Sequence, residues 1–169
     1  MDTLVGTRSW HWRKPDWAAA AVAGLGAGAV LMVLDLVWST LFNPDGPWRT
    51  SHMIAPIFIG TEKLRTTGYA FSATVVSIAL AVHYLLGILF GLVLGVIMAQ
   101  LRLDETPAYA LVAGAMMGIA MYLLNFEALV GFFPWMADLR GVDTLAAHVV
   151  FGVVAGLLYW RLKRTTAEP

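Results

Sequence analysis

The sequence predicts an all-α fold, a four-transmembrane-helix bundle in a single integral membrane domain, on three observations. Of the 169 residues, 59% are apolar and only 13% charged, against about 25% charged in an ordinary soluble domain. The mean hydropathy is +0.73. The uncharged residues gather in four runs, 17–42, 72–101, 107–133 and 143–160, and a helix needs about 20 residues to cross the hydrocarbon core. These runs are too long and too uniformly apolar for barrel strands, which alternate, so helices are the expected spanning form.

Residues 1–16 read as an interfacial foot. Trp10, Trp12 and then Trp17 sit at headgroup depth, and Arg8, Arg13 and Lys14 face anionic lipid. Pro15 suits the start of a helix. No short apolar core with a small-residue cleavage site follows, so the first span is expected to stay as an anchor. The loop 43–71 is the one sizeable extramembrane piece. Its stretch 53–59 (Met53, Ile54, Ala55, Pro56, Ile57, Phe58, Ile59) is too apolar for a free loop and too short to span. It is expected to lie on the outer interface, dip inward, cap the bundle or dock a partner. His52 and Glu62 form at most a weak surface pair. Residues 161–169 form a polar tail.

The remaining aromatics near the span ends, Trp38, Trp48, Trp135, Tyr159 and Trp160, read as belts at both interfaces. Arg8, Arg13, Lys14, Arg102, Arg161, Lys163 and Arg164 fall on the side of the termini, whereas Arg49, Lys63, Arg65 and Arg140 fall on the other. That asymmetry points to a multi-pass protein with both termini on the cytoplasmic side.

The four spans also read as two tandem hairpins. Gly24, Gly28 and Asp35 in the first span repeat in the third as Gly114, Gly118 and Asn125. His83, Gly87 and Gly91 in the second, extended by Gly95, repeat in the fourth as His148, Gly152 and Gly156. Pro47-Trp48 and Pro134-Trp135 close the first and third spans on the outer side. Two helices per copy would relate the hairpins by a pseudo-twofold along the membrane normal. The glycines have a packing reason: lipid tails are as apolar as leucine, so helices associate where small residues let backbones approach.

Asp35, His83, Asn125, Glu127 and His148 are the strongly polar residues of the spans, with Tyr84 and Tyr122 beside them. Counting rise per residue puts Asp35, Asn125 and His83 roughly 12–16 Å beneath the outer surface, and all five in the outer half of the bilayer. They are therefore expected to form one intramembrane polar layer. Four readings apply to the histidines. They are neutral imidazoles bonded to Asp35, Asn125 or a neighbouring carbonyl; axial ligands of one b-type haem, His83 facing His148 across diagonal helices; metal ligands with Asp35 or Glu127; or part of a proton or ion relay through Asp35. Glu127 alone reads best as reaching the outer headgroups.

Several function classes are excluded or unsupported. The chain has no cysteine, which removes disulfides, thiolate metal sites and thiol catalysis. Its formal net charge is zero, so no basic field points to nucleic acid. No phosphate loop, His-Glu-x-x-His pair or nucleophile elbow is present.

Three stretches carry a resemblance. They are residues 48–60 with Met53-Ile54-Ala55 at the centre, residues 83–91, and the run from Tyr122 and Asn125-Phe126 through Phe133-Pro134-Trp135 to Ala147-His148 and Gly152. The chain resembles a family of small bacterial four-helix inner-membrane proteins without an established function, whose members often carry the label "sodium:proline symporter". The resemblance implies the four-helix fold and the bacterial membrane. It does not imply sodium-coupled transport, because true sodium–solute symporters are far larger and place half-helix ends at the ion site.

The expected role is non-catalytic: an accessory or structural subunit, with no resident cofactor, that packs in the lipid bilayer against larger membrane proteins or against itself, in a respiratory or other redox assembly. The rival expectations are a haem-binding electron carrier using His83 and His148, and an oligomeric conductor using Asp35.

Overall fold

The computed structural model describes residues 12–61 and 69–164. The first part of the expected foot, the loop residues Glu62, Lys63 and Arg65, and residues 165–169 of the tail lie outside the described residues.

Among the described residues four helices are long and apolar enough to cross a membrane, and the chain is a small multi-pass integral membrane protein. Helix α1 (Trp17–Phe42) begins where the Asp16 carboxylate accepts the Ala19 N–H at 3.0 Å, supplying one of the partners a helix start lacks. It ends at Asn43, held extended before Pro44. Two short helices follow, α2 (Arg49–Ile54) and α3 (Pro56–Ile59). Ser72 caps α4 (Ala73–Leu101), which stops as Arg102 turns left-handed at φ 58°. Thr106 caps α5 (Pro107–Leu123), with Pro107 at its first position. The third span continues through a π-turn (Leu124–Ala128) and a 3₁₀ turn (Leu129–Gly131). A second 3₁₀ segment (Pro134–Leu139) leads to α6 (Val142–Leu162), whose first turn holds Asp143, a favourable charge for a helix N-terminus.

The helices pack as two pairs, α1 on α4 and α5 on α6, joined along α1 and α6. Helices α4 and α5 leave their shared turn and touch little, and so do α4 and α6. In the first pair Gly24 lies against Gly87, and Gly91 against Ala20. In the second Gly114 lies against Gly152, and Gly156 against Ala110. At each of these glycines an added Cβ would land on backbone of the partner helix. Gly95 sits where three helices meet, its Cβ position 2.7 Å from Ala20 and 3.3 Å from the Tyr159 ring. Alanines 20, 23, 27, 110 and 155 fill the remaining contact surfaces around Leu94, Met98 and Tyr159.

Tyr159 is 2% exposed, so it is a core residue rather than part of an aromatic belt. Its phenol oxygen accepts the Asp16 N–H at 3.3 Å. Trp12, Trp17 and Trp38 are exposed, as membrane-interface tryptophans should be.

The apolar loop segment caps the bundle. Met53, Ala55 and Pro56 are buried, α2 leans on α4, and the Trp135 indole donates to the Met53 carbonyl at 3.0 Å. His52, buried at 6% exposure, bonds the Trp48 carbonyl through Nδ1 at 3.0 Å and meets the Tyr69 ring edge-on. It is a packing residue.

At the pole of the termini a buried carboxylate ties three segments together. Asp104, in the α4–α5 turn, is 4% exposed. Lys163 Nζ donates to its Oδ2 at 2.6 Å, and Arg13 Nη1 lies 3.5 Å from its Oδ1. Arg13 also donates to the Ala99 carbonyl, and Gln100 donates to the Arg13 carbonyl. The cations counted for orientation thus have a structural duty as well.

Two predictions follow from this packing. Gly114→Leu and Gly152→Leu should each destabilise the protein by about 1–3 kcal/mol through overpacking, whereas Gly131→Ala, which meets nothing within 4 Å, should leave thermal unfolding in detergent unchanged. The bonds from Ala19 and Arg164 N–H hold the Asp16 carboxyl below the usual carboxylate range. A depressed folded value adds stability above the unfolded value and loses it as pH falls through the folded one. Asp16→Asn should keep the cap yet flatten the pH dependence of unfolding below about pH 4, read by acid titration of tryptophan fluorescence.

Candidate functional site

The polar residues of the spans gather toward the pole of the long loop, in two arrangements. On α6 the His148 ring has both nitrogens engaged. Nδ1 lies 2.8 Å from the Thr144 carbonyl one turn back, and Nε2 lies 3.2 Å from Asn125 Nδ2. A carbonyl only accepts, so Nδ1 carries the proton, and Nε2 accepts from the Asn125 amide. Tyr122 and Phe126 stand edge-on to the ring at 6.0 and 5.5 Å. Backbone packing places the ring: the His148 carbonyl lies directly over Gly118, where any Cβ would collide.

Asn125 sits in the π-turn. Such turns carry i→i+5 bonds and recur at functional sites, and here Leu129 N–H reaches back to Leu124. The neighbouring Phe126 carbonyl accepts Arg140 Nε at 2.6 Å. Arg140 also pairs with Glu127 at 3.2 Å. Glu127 has a 55% exposed side chain and stands outside the buried layer expected of it. Its charge is balanced at the surface, where water and headgroups compete for it.

His83 on α4 is bonded differently. Its Nε2 donates to the Gly28 carbonyl on α1 at 2.8 Å; a Cβ at Gly28 would stand 3.4 Å from Nε2, at the edge of ordinary contact. Tyr84 stacks edge-on to the ring and directs its hydroxyl to Met32 Sδ at 3.9 Å. His83 therefore takes the neighbouring-carbonyl bond rather than an Asp35 partner.

Asp35 points the other way, accepting from Thr50 Oγ1 at 3.3 Å. It lines a cleft of about 260 Å³ between the end of α1, the start of α2, the second 3₁₀ segment and the start of α6. Arg49, Asp138, Arg140, Asp143 and Thr144 share that lining. Of the five expected residues, the structure joins Asn125 directly to His148, places His83 on its own carbonyl, and turns Asp35 to the cleft and Glu127 to the surface. Thr50, Thr144, Arg140 and Asp143 belong to the site without having been singled out from sequence. Their types are ordinary at span ends, and only the fold shows which partners they meet.

Among the described residues no group of three or more His, Asp or Glu side chains is arranged to hold a metal ion. No family model matches the chain, and neither a curated protein nor a solved structure matches it.

The His148–Asn125 bond predicts a measurable coupling. A double-mutant cycle of His148→Ala and Asn125→Ala should give about 0.6 kcal/mol, the average for hydrogen bonds inside membrane bundles. The cycle of His83→Ala with Asn125→Ala should give none. Unfolding in mixed micelles reads both.

Proposed function

We propose that the chain is a non-catalytic accessory subunit that packs against larger membrane proteins in a bacterial cytoplasmic membrane, its termini on the cytoplasmic side. We further propose that its two helix pairs are copies of one hairpin, and that it belongs with the small four-helix proteins it resembles.

The observation that carries this reading is how little of each span the chain covers by itself. Between 22% and 28% of each spanning window is buried. Large apolar side chains such as Val33, Val37, Leu85, Leu89, Val112 and Met116 face outward. The glycine contacts are used within the chain, so the outward surface is aliphatic and broad. The seam where α4 and α5 part offers room beside two helices at once. Short connections and a loop folded back as a cap leave little aqueous surface for chemistry, and the imidazoles serve helix register.

A haem held by His83 and His148 has less support. His148 has both ring nitrogens bonded within the protein, and His83 has Nε2 bonded to Gly28. Ligation would break one of the two bonds of His148, and at His83 it would break the Gly28 bond or have to use Nδ1.

Purification from native membrane in mild detergent tests the proposal. A stable stoichiometric partner is the expected result, and a lone monomer would overturn it. Because the chain has no cysteine, single cysteines at Leu89 and Met116 should cross-link to that partner specifically. The purified protein should be colourless; a Soret band lost in both His83→Ala and His148→Ala would replace this reading with the haem carrier.

A further inference from the structure

The pole of the termini carries more positive charge than its internal bonds use. Six cations stand there among the described residues, Arg13, Lys14, Arg102, Arg161, Lys163 and Arg164, against three carboxylates, Asp16, Asp104 and Glu105. The loop pole has the opposite balance, with two described cations against five described carboxylates. An anionic partner is therefore drawn to the termini and repelled from the loop.

The fold divides the six cations by duty. Lys163 Nζ is held by the Asp104 carboxylate at 2.6 Å. Arg13 donates to the Ala99 carbonyl at 3.1 Å and lies 3.5 Å from Asp104. Arg164 Nε lies 3.9 Å from Asp16. Arg13, read from sequence as facing lipid, is thus tied inward. Lys14, Arg102 and Arg161 are exposed, and among the described residues they have no acidic partner.

Bonds on either side of Lys14 place it between two helix ends. Before it, Arg13 is joined to the end of α4, donating to Ala99 and accepting at its own carbonyl from Gln100. After it, Asp16 is joined to the end of α6. Its N–H donates to the Tyr159 hydroxyl, and its carboxylate accepts the Arg164 N–H. Residues 13–16 therefore form a strap across the ends of α4 and α6. Arg102 follows α4 directly, and Arg161 lies in the last turn of α6. The three unmatched cations come from three segments that the strap fastens together.

The tryptophans give an observation independent of charge. Trp12 and Trp17 flank the strap and are 60% and 53% exposed. Indoles at a span end sit at headgroup depth. A lipid surface covers them, whereas a small soluble phosphate ester would leave them in water.

We infer that this strap surface binds anionic phospholipid in preference to zwitterionic lipid. The headgroup phosphate meets Lys14, Arg102 and Arg161, and the two indoles lie beside the glycerol and the first acyl carbons. Basic surfaces at membrane-helix ends recognise headgroups in this way. Cations fixed on a fastened platform lose less freedom on binding than cations on a loose tail. The inference concerns lipid rather than a protein partner, so it stands apart from the accessory role and holds for either orientation of the chain.

The test uses the full chain, stripped of lipid in a nonionic detergent. Dioleoylphosphatidylglycerol or dioleoylphosphatidylcholine is titrated in, and bound lipid is counted by native mass spectrometry. Phosphatidylglycerol should bind roughly tenfold or more tightly than phosphatidylcholine. Lys14→Gln, Arg102→Gln and Arg161→Gln should each weaken it roughly fivefold, the loss expected for one cation at an anionic surface. The preference should shrink in about 1 M salt, where charges are screened beyond about 3 Å. All three side chains are exposed, so the variants should keep the parent's unfolding temperature, which separates lost binding from lost folding. Equal affinity for the two lipids, or a preference that survives the triple variant, would overturn the inference. Displacement of the lipid by glycerol 3-phosphate at similar concentration, or tighter binding of a short oligonucleotide, would overturn the lipid assignment.

Discussion

Close backbone approach at glycine is the constraint on which the rest of this structure depends. In lipid, burying a leucine against another helix gains little over leaving it among acyl chains. Attraction has to come from dense contact between backbones, and that requires positions without a side chain. Gly24 on Gly87 and Gly114 on Gly152 meet the requirement. Each brings a helix pair near enough for the polar groups above it to be placed without freedom. His83 reaches across from α4 to the Gly28 carbonyl on α1. His148 stands where it does because its own carbonyl rests over Gly118.

The two poles then use polar chemistry in opposite ways. At the termini a single buried carboxylate, Asp104, gathers Lys163 and Arg13, so the α4–α5 turn, the lead-in to α1 and the end of α6 form one unit. Removing one partner of a buried pair leaves a charge uncompensated, so such a group behaves as a clamp. At the loop pole the chain loosens. The third span relaxes into a π-turn and 3₁₀ turns, freeing backbone groups that cannot go unpaired in lipid. Arg140 satisfies one of them at Phe126. The cleft beside Asp35 opens at the same pole.

The histidine pair illustrates how similar sequence context gives different chemistry. Each ring lies beside a glycine-packed helix, yet one bonds a bare carbonyl and the other an amide. The difference lies in the first polar residue toward the loop. Asn125, carried on the π-turn, reaches His148. Asp35, on a regular helix, reaches Thr50 from the cap instead. No spacing rule distinguishes these outcomes, because a π-turn is not written in the apolar period. Glu127, counted by depth with the polar layer yet read on its own as reaching the headgroups, stands at the surface beside Arg140. Tyr159 was assigned to the interface by residue type, and three-helix packing around Gly95 buries it.

The sequence by itself determined the number of crossings, the beginnings of the spans near residues 17, 72 and 107, and the glycines at which backbones meet. Those follow from local rules: about twenty apolar residues span a bilayer, and only a residue without a side chain permits close backbone contact. Tertiary structure decided which groups face each other. The pairing of Asp104 with Lys163, of Arg140 with Phe126 and Glu127, and the assembly of the cleft from four separate segments depend on distances between elements far apart in the chain. Such distances arise from the angle and rotation of packed helices, which residue type and spacing leave open.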